Sequence, residues 1–456
     1  MPDSSTSPQG PLWIVNPYGD LPGESWREHY SLLLGRALAT AGHEVVWWVA
    51  NFSHRLKVHR SSGWVDLAVS PGFTVTLVPT TGYKRNVGLG RLWFECVYAI
   101  RFFRRALQSP RPSCIIVLDT PTLYSYLSMV LSTRLRAGLV LSVQDLWPEL
   151  FVAAFPKRVR KVASQLLFPL YRLRRHIRNH ASSIFSLAES YLRRAVADVS
   201  GACAALHTAV IFNGIDVQRL RDVGTTGPLV CEAKHLGEKA AGELWAVFSG
   251  SLGKTYDIRT MAAAAELLAS WNRKIRIIIT GAGPLAEFLR GAQQALGERR
   301  LLYLGTIGNE DLYRLYMRCD IGLCAYGAES NVAMPDKAYD YLAAGLVVVN
   351  SLKGELEGRV CDRELGIAYR AGDAASLAKA LCYLADNPEM RVRMRENSYA
   401  AALEFDQARQ FPKIVSLVEK VTSPKSPVTG EGVAPGPASG PNPAKAIGRV
   451  GGTPQL

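Results

Sequence analysis

One stretch of the sequence, residues 331–350, spaces a cation and a carboxylate in a way that suits phosphate and sugar chemistry. Pro335 and Asp336 favour the start of a helix, because proline suits the first turn and aspartate can cap it. On that helix Lys337 and Asp340 share a face. A diphosphate could bind at the helix N-terminus beside Lys337, and Asp340 could accept hydrogen bonds from sugar hydroxyls. The alternative is an intrahelical ion pair on a wet surface.

Two motifs of this stretch resemble a known family. Residues 334–345, MPDKAYDYLAAG, and 350–357, NSLKGELE, resemble the donor-site segment of GT4-type retaining glycosyltransferases, in the branch that builds bacterial O-antigen and capsular polysaccharides. Residues 42–55, GHEVVWWVANFSHR, resemble another segment of that branch. The resemblance implies that Asp340 holds the nucleotide ribose. Val332 stands where the wider family has a sugar-binding glutamate, so that carboxylate is missing here.

The apolar runs and the amphipathic stretches between them alternate as in an α/β protein. A strand at 12–16, a loop, a helix at 26–41 and a strand at 44–50 predict a βαβ unit, and the same alternation returns after residue 245. The resemblance implies the GT-B fold, in which two Rossmann-like doubly wound domains face a cleft. We expect the following organisation: a disordered leader at 1–10, an acceptor domain at 11–215, a nucleotide-sugar domain at 216–405, a helix at 406–421 that returns to the first domain, and a disordered tail at 422–456.

The second domain has two glycine-containing loops after predicted strands, and both resemble GT4 loops near the nucleotide. The first could cradle a diphosphate through its backbone N–H groups, although either loop alone is a weak signal. With the helix at 335, these loops give the predicted donor-binding set: Gly250, Ser251, Lys254, Gly281, Gly283, Pro335, Asp336, Lys337 and Asp340. Lys337 and Asp340 are the predicted catalytic residues of this set.

The predicted acceptor cleft lies in the first domain. Asp145 and Glu149 follow the strand at 139–143, and sites gather at the carboxyl ends of strands in α/β folds. Asp145 as the cap of a helix is the alternative. The resemblance implies that the loop after the first strand, with Gly19 and Gly23, also lies in the cleft; an ordinary connection is the alternative there.

Composition and charge limit the classes of partner. The chain has 456 residues and a net charge of +14, which indicates an anionic partner. Residues 99–107 and 156–180 carry much of this charge, and the second segment has eight Lys and Arg residues and no acid. Apolar residues interleaved at helical intervals favour an anionic membrane surface, whereas a solvated helix face is the plainer alternative. No nucleic-acid motif accompanies the charge.

The remaining patterns concern localisation and cofactors. The eight cysteines form no C-x-x-C pair and no zinc-ligand spacing, which is typical of a reduced, cytoplasmic protein. No signal peptide or transmembrane span is visible. The resemblance implies that no metal cofactor is needed. With the basic segments described above, we expect a protein on the inner face of the cell membrane.

The expected activity follows from the resemblance. A sugar would move, with retention, from a UDP- or GDP-linked donor to a lipid-linked saccharide acceptor. Two alternatives remain open: a GT-B nucleotide-sugar 2-epimerase, and a non-catalytic partner that binds nucleotide sugars within a polysaccharide assembly complex, which the valine at 332 favours.

Overall fold

The computed structural model describes residues 10–24, 27–86, 88–199, 206–227 and 236–423. Most of the predicted leader and tail lie outside the described residues. The described part contains two parallel sheets, each covered by helices on both faces.

The first domain is built around the earlier sheet. Its strands are β1 (Leu12–Val15), β2 (Val45–Ala50), β3 (Val65–Ser70), β4 (Phe73–Val78), β5 (Cys114–Leu118), β6 (Gly138–Val143), β7 (Ser183–Ser186) and β8 (His207–Val210). Its helices are α1 (Tyr30–Thr40), α2 (Leu89–Ala106), α3 (Leu123–Leu135), α4 (Glu149–Ala154), α5 (Arg160–Leu166), α6 (Phe168–Asn179) and α7 (Glu189–Ala197). The sheet order is β3-β4-β2-β1-β5-β6-β7-β8, parallel except for the β3–β4 pair.

The second domain has the same plan. Its strands are β9 (Leu244–Ser249), β10 (Ile275–Thr280), β11 (Leu301–Tyr303), β12 (Ile321–Cys324), β13 (Val347–Asn350) and β14 (Gly366–Ala368). Its helices are α8 (Val217–Thr225), α9 (Ile258–Ser270), α10 (Ala286–Leu296), α11 (Asn309–Arg318), α12 (Asp336–Ala343), α13 (Glu355–Asp362), α14 (Ala374–Asp386) and α15 (Pro388–Ala402). The sheet order, β11-β10-β9-β12-β13-β14, is that of a doubly wound Rossmann domain. The predicted fold class is confirmed.

The central strands are mainly apolar because helices cover both faces of each sheet. β1, β9 and β10 are buried along their whole length. The edge strands lack this signal. β3 lies at the edge of the sheet, where it pairs with β4 alone, and its Leu67 is exposed, so its residues do not form the apolar run that marks a buried strand. The first helix begins at Tyr30, capped by His29, and not at residue 26.

The chain crosses between the domains twice, and the two crossings lie side by side. The Ile215 amide donates to the Phe405 carbonyl, and the Gln407 amide donates to the Ile215 carbonyl, at 3.1 Å each. Gly214 has φ +59°, and a Cβ there would lie 2.2 Å from the Phe405 carbonyl oxygen, so glycine is required. After α16 (Gln407–Gln410), α17 (Pro412–Thr422) packs on α1 in the first domain.

Candidate donor and acceptor sites

The two glycine loops of the second domain lock together at the carboxyl ends of β9 and β10. The Gly250 amide donates to the Thr280 carbonyl at 3.1 Å, and the Leu252 amide donates to the Ala282 carbonyl at 2.8 Å. Gly281 has φ +137°, and a Cβ there would lie 1.8 Å from the Gly250 oxygen. Two amides of the predicted cradle are therefore already used. The Ser251 amide has no such backbone partner among the described residues, so it remains available to an anion.

Lys337 points its ammonium group toward these loops from the first turn of α12. Nζ lies 3.8 Å, 4.2 Å and 5.1 Å from the ring centroids of Phe248, Tyr256 and Tyr326, which form an aromatic cage. In the described part of the chain it has no hydrogen-bond partner. A Cβ on Gly250 would lie 3.0 Å from Nζ, so the glycine makes room for the lysine. Burial lowers the pKa of Lys337 to about 7.

Asp340 does not pair with Lys337, so the alternative of an ion pair on a wet surface is wrong. Its carboxylate is 3% exposed and binds Arg27, which comes from the first domain just before α1. The distance from Arg27 Nη1 to Asp340 Oδ1 is 3.2 Å. Burial raises the pKa of Asp340 to about 6, although Arg27 acts in the opposite direction. No pattern in the sequence indicates that this arginine reaches the site.

One pocket of 420 Å³ joins these groups. It is lined by Arg27, Ser249, Gly250, Ser251, Thr280, Gly281, Ala282, Thr306, Ile307, Asn309, Leu312, Tyr316, Asp336, Lys337 and Asp340. A pocket of this size with cations, a free amide and a buried carboxylate suits an anionic, hydroxyl-bearing ligand.

The other predicted donor residues lie at the edge of this pocket or outside it. Pro335 is the residue before α12, and Asp336 does not cap the helix but accepts a hydrogen bond from Asn213 Nδ2 at 2.8 Å. Gly283 does not line the pocket; it packs on Leu252, whose backbone a Cβ would approach to 2.7 Å. Lys254 is exposed and does not line the pocket.

The segment that precedes α12 contacts the first domain. Glu329 is 3.0 Å from Arg160 of α5, and the Tyr191 hydroxyl donates to the Asn331 carbonyl at 3.0 Å. Val332 packs against the apolar core of the second domain. The position at which the resemblance implies a sugar-binding glutamate therefore provides no carboxylate to this pocket.

A second cavity, of 730 Å³, lies in the first domain. Asp145 lines it with apolar side chains of α2, α4 and α6, including Leu89, Leu92, Phe151 and Leu170. The Asp145 carboxyl is open to the cavity, but protein surrounds it on most sides, and this burial raises its pKa to about 6. It does not cap α4, which begins four residues later.

The other predicted acceptor residues do not line this cavity. Gly19 packs behind it, because a Cβ at Gly19 would lie 2.6 Å from Nδ1 of His29, which does line the cavity. Gly23 is exposed in a turn with φ +81°. Glu149 accepts from Arg174 at 2.6 Å and so holds α4 to α6.

The cavity wall contains a polar cluster that sequence reasoning missed. The Tyr18 hydroxyl donates to buried Glu95, and Arg91 lies 3.2 Å from the same carboxylate. Arg91 and Glu95 are four residues apart on α2, so helical spacing was the signal that could have found this pair. Tyr18 comes from the loop after β1, and its proximity depends on the tertiary fold.

Exposed apolar side chains lie in the same helical segments as residues that line this cavity. They belong to the start of α2 and to the segment from α4 to α6: Leu89, Leu92, Trp93, Phe155, Val159, Val162, Leu166 and Phe168. Leu166 is 76% exposed and Leu89 83%. Basic side chains at Arg158, Lys161, Arg172 and Arg175 are exposed in the same segment.

Part of the basic segment serves the fold instead. Arg174 and Arg178 are buried, and both bind Asp198, at 2.5 Å and 2.7 Å. Arg178 also binds the buried Asp119. The described helices include none that is long and apolar enough to cross a membrane, and the described residues contain no group of three metal-ligating side chains.

We expect Lys337→Met to raise the free energy of unfolding at pH 7, because methionine removes the cost of burying the lysine ammonium group. The gain should be about 1.4 kcal/mol or more, since a pKa shift of one unit corresponds to about 1.4 kcal/mol. The unfolded chain keeps this proton up to about pH 10.5, whereas the folded site releases it near 7. Wild-type stability should therefore gain from this group as pH rises from 7 toward 10, and the variant should lack that gain. Urea unfolding at about pH 7 and 9 measures both.

Lys420→Met, at an exposed position of α17, is the control and should keep the wild-type pH dependence. A Lys337→Met protein that is less stable than wild type, with an unchanged pH slope, would contradict the burial penalty.

Comparison with known proteins relates this geometry to a family. Residues 234–401 match the family model described as Glycosyl transferases group 1. A D-inositol 3-phosphate glycosyltransferase from Corynebacterium efficiens is 30% identical over 168 residues. That match covers 35% of this chain and 39% of the relative, so the chain spans about two fifths of the length of this relative.

Solved structures extend the fold comparison over nearly the whole chain. Anabaena Alr3699/HepE in complex with UDP superposes with a TM-score of 0.62 at 16% identity, covering 90% of this chain and 99% of that one. An α,α-trehalose 6-phosphate synthase from Burkholderia multivorans gives 0.66 at 15% identity, covering 91% and 97%. WaaG, a glycosyltransferase involved in lipopolysaccharide biosynthesis, gives 0.59 at 14%, covering 89% and 99%. The chain has the GT-B fold, and its second domain carries the sequence pattern of glycosyl transferases group 1.

Proposed function

We propose that this protein is a retaining glycosyltransferase that moves a sugar from a nucleotide sugar to a lipid-linked saccharide. The observation that carries the proposal is the ammonium group of Lys337, buried without a hydrogen-bond partner among the described residues. A buried cation without an anion is costly, so the pocket is complementary to a negatively charged ligand.

The pocket suits the leaving group of such a reaction. When the sugar–phosphate bond breaks, negative charge develops on the diphosphate. Lys337, the N-terminus of α12 and the Ser251 amide are placed to stabilise it. Asp340 is deeper on the same helix and would accept hydrogen bonds from the ribose hydroxyls. Because the chain itself supplies positive charge, the proposal includes no metal cofactor.

The cavity of the first domain is the proposed acceptor site. Asp145 is an exposed carboxylate that lines this space, where it could accept a hydrogen bond from an acceptor hydroxyl. The exposed apolar and basic side chains of the helical segments that line it are suited to an anionic membrane surface, on which a lipid-linked acceptor would be presented. We therefore infer a peripheral location on the inner face of the cell membrane, with saccharide assembly as the process served.

A non-catalytic nucleotide-sugar-binding protein is the second candidate. It is favoured by Val332, which packs against the apolar core where the resemblance implies a sugar-binding glutamate. Such a protein would bind the donor and release no product. Release of product from the donor without any acceptor would instead indicate a 2-epimerase.

Thermal unfolding against a panel of nucleoside diphosphates and nucleotide sugars tests the donor site. We expect one base to stabilise the chain, by about 2.7 kcal/mol at 100 times the dissociation constant. Asp340→Ala should lose most of this stabilisation, because the ribose loses its acceptor. Asp386→Ala is the control, because it removes an exposed carboxylate that pairs with Arg273 and does not line the pocket. No shift with any ligand would contradict the proposal.

Co-sedimentation with vesicles tests the membrane surface. The wild-type chain should bind vesicles that contain anionic lipid, with less binding at high salt, because screening weakens the basic contribution. Replacing Leu166 and Phe168 together by glutamate should abolish binding, whereas Val392→Glu, at an apolar position on α15 that is 52% exposed, should not. Binding that ignores both anionic lipid and the double variant would contradict this part of the proposal.

A further inference from the structure

Arg27 joins the first domain to the donor pocket of the second. Its Nη2 group donates to the Gly214 carbonyl at 2.6 Å, at the crossing between the domains. Its Nη1 group is 3.2 Å from Oδ1 and 3.4 Å from Oδ2 of Asp340. The guanidinium is thus fixed firmly at one end, while a single nitrogen is shared between two carboxylate oxygens at the other.

This geometry differs from the parallel two-nitrogen pairing that makes arginine–carboxylate contacts strong. The contact with Asp340 is therefore the easier of the two to exchange. Arg27 lines the same pocket as Lys337 and Ser251, where the diphosphate would lie under the proposed function. Ribose hydroxyls bound to Asp340 would compete for the oxygens that Nη1 now contacts.

We propose that Arg27 is a diphosphate-binding residue contributed by the first domain, which transfers Nη1 from Asp340 to the donor when the ribose binds. The inference rests on the proposed function, because it requires a nucleoside diphosphate in this pocket. The charges in the pocket favour this contact. Arg27 and Lys337 are the two cations that line it, whereas Asp336 and Asp340 would repel a diphosphate, so the phosphate oxygens should lie against both cations.

Arg27 could instead only hold the domains together through Asp340. The two roles differ in their ligand dependence. A residue that contacts the diphosphate discriminates between a nucleoside diphosphate and its nucleoside. A residue that only competes with the ribose for Asp340 affects both ligands equally, and its removal would strengthen both.

Calorimetric titration with two ligand pairs, UDP with uridine and GDP with guanosine, separates these roles. For the base that binds, Arg27→Met should weaken the diphosphate by about 10- to 100-fold, the value of a hydrogen bond to a charged group, and leave the nucleoside within about threefold. Arg27→Lys should be intermediate, because it keeps the charge but cannot bond Gly214 and the ligand together. Asp340→Asn should weaken both ligands alike.

Arg36→Met, which removes an exposed α1 arginine paired with Glu28, is the matched control and should bind as wild type. Equal effects of Arg27→Met on diphosphate and nucleoside would overturn the inference while leaving the donor site intact. A wild-type chain that binds neither diphosphate would overturn the proposed function itself, and this inference with it. A cooperative thermal unfolding transition without ligand would confirm that Arg27→Met is folded.

Discussion

The close approach of Lys337 to Gly250 is the contact on which the donor site depends. The lysine can enter the aromatic cage only because Gly250 has no side chain, and Gly250 is held by the Gly281 loop, which tolerates none either. This packing leaves a cation in a site from which most water is excluded. Electrostatic interactions are strongest in such surroundings, so this pocket is suited to an anionic ligand.

The pocket is also a joint between domains. Asp340 is held by Arg27, and Glu355 accepts hydrogen bonds from the Ser190 amide and hydroxyl of the first domain at 2.9 Å and 2.8 Å. The residue before α12 and the turn at Gly214 lie at the same boundary. Asp340 would thus bind the donor and also joins the two domains through Arg27, which provides a direct route for donor binding to influence the cleft.

The sequence predicted the parts of this site that follow local rules. The apolar runs predicted the buried strands, and the three-residue spacing placed Lys337 and Asp340 on one helix face. The cage could not be predicted, since its three rings come from separate elements that only the folded sheet brings together. Arg27 had no local signal, being one arginine in an irregular loop. The prediction that the basic segment faces a membrane does not hold for two of its arginines, which are buried in ion pairs. Their partners, Asp119 and Asp198, lie outside the segment, so the sequence pattern could not indicate these pairs.

The proton balance of donor binding tests the central role of Lys337 most directly. Because the pKa of Lys337 is about 7 in the free site, its amine is mainly neutral at pH 8. When an anion binds beside it, the amine should take up roughly one proton from the solution. Titrations in HEPES and Tris, which differ in ionisation enthalpy, report that uptake as a difference in heat. We predict uptake with wild type and none, with much weaker binding, for Lys337→Met. Heats independent of buffer, with undiminished affinity in Lys337→Met, would contradict the account.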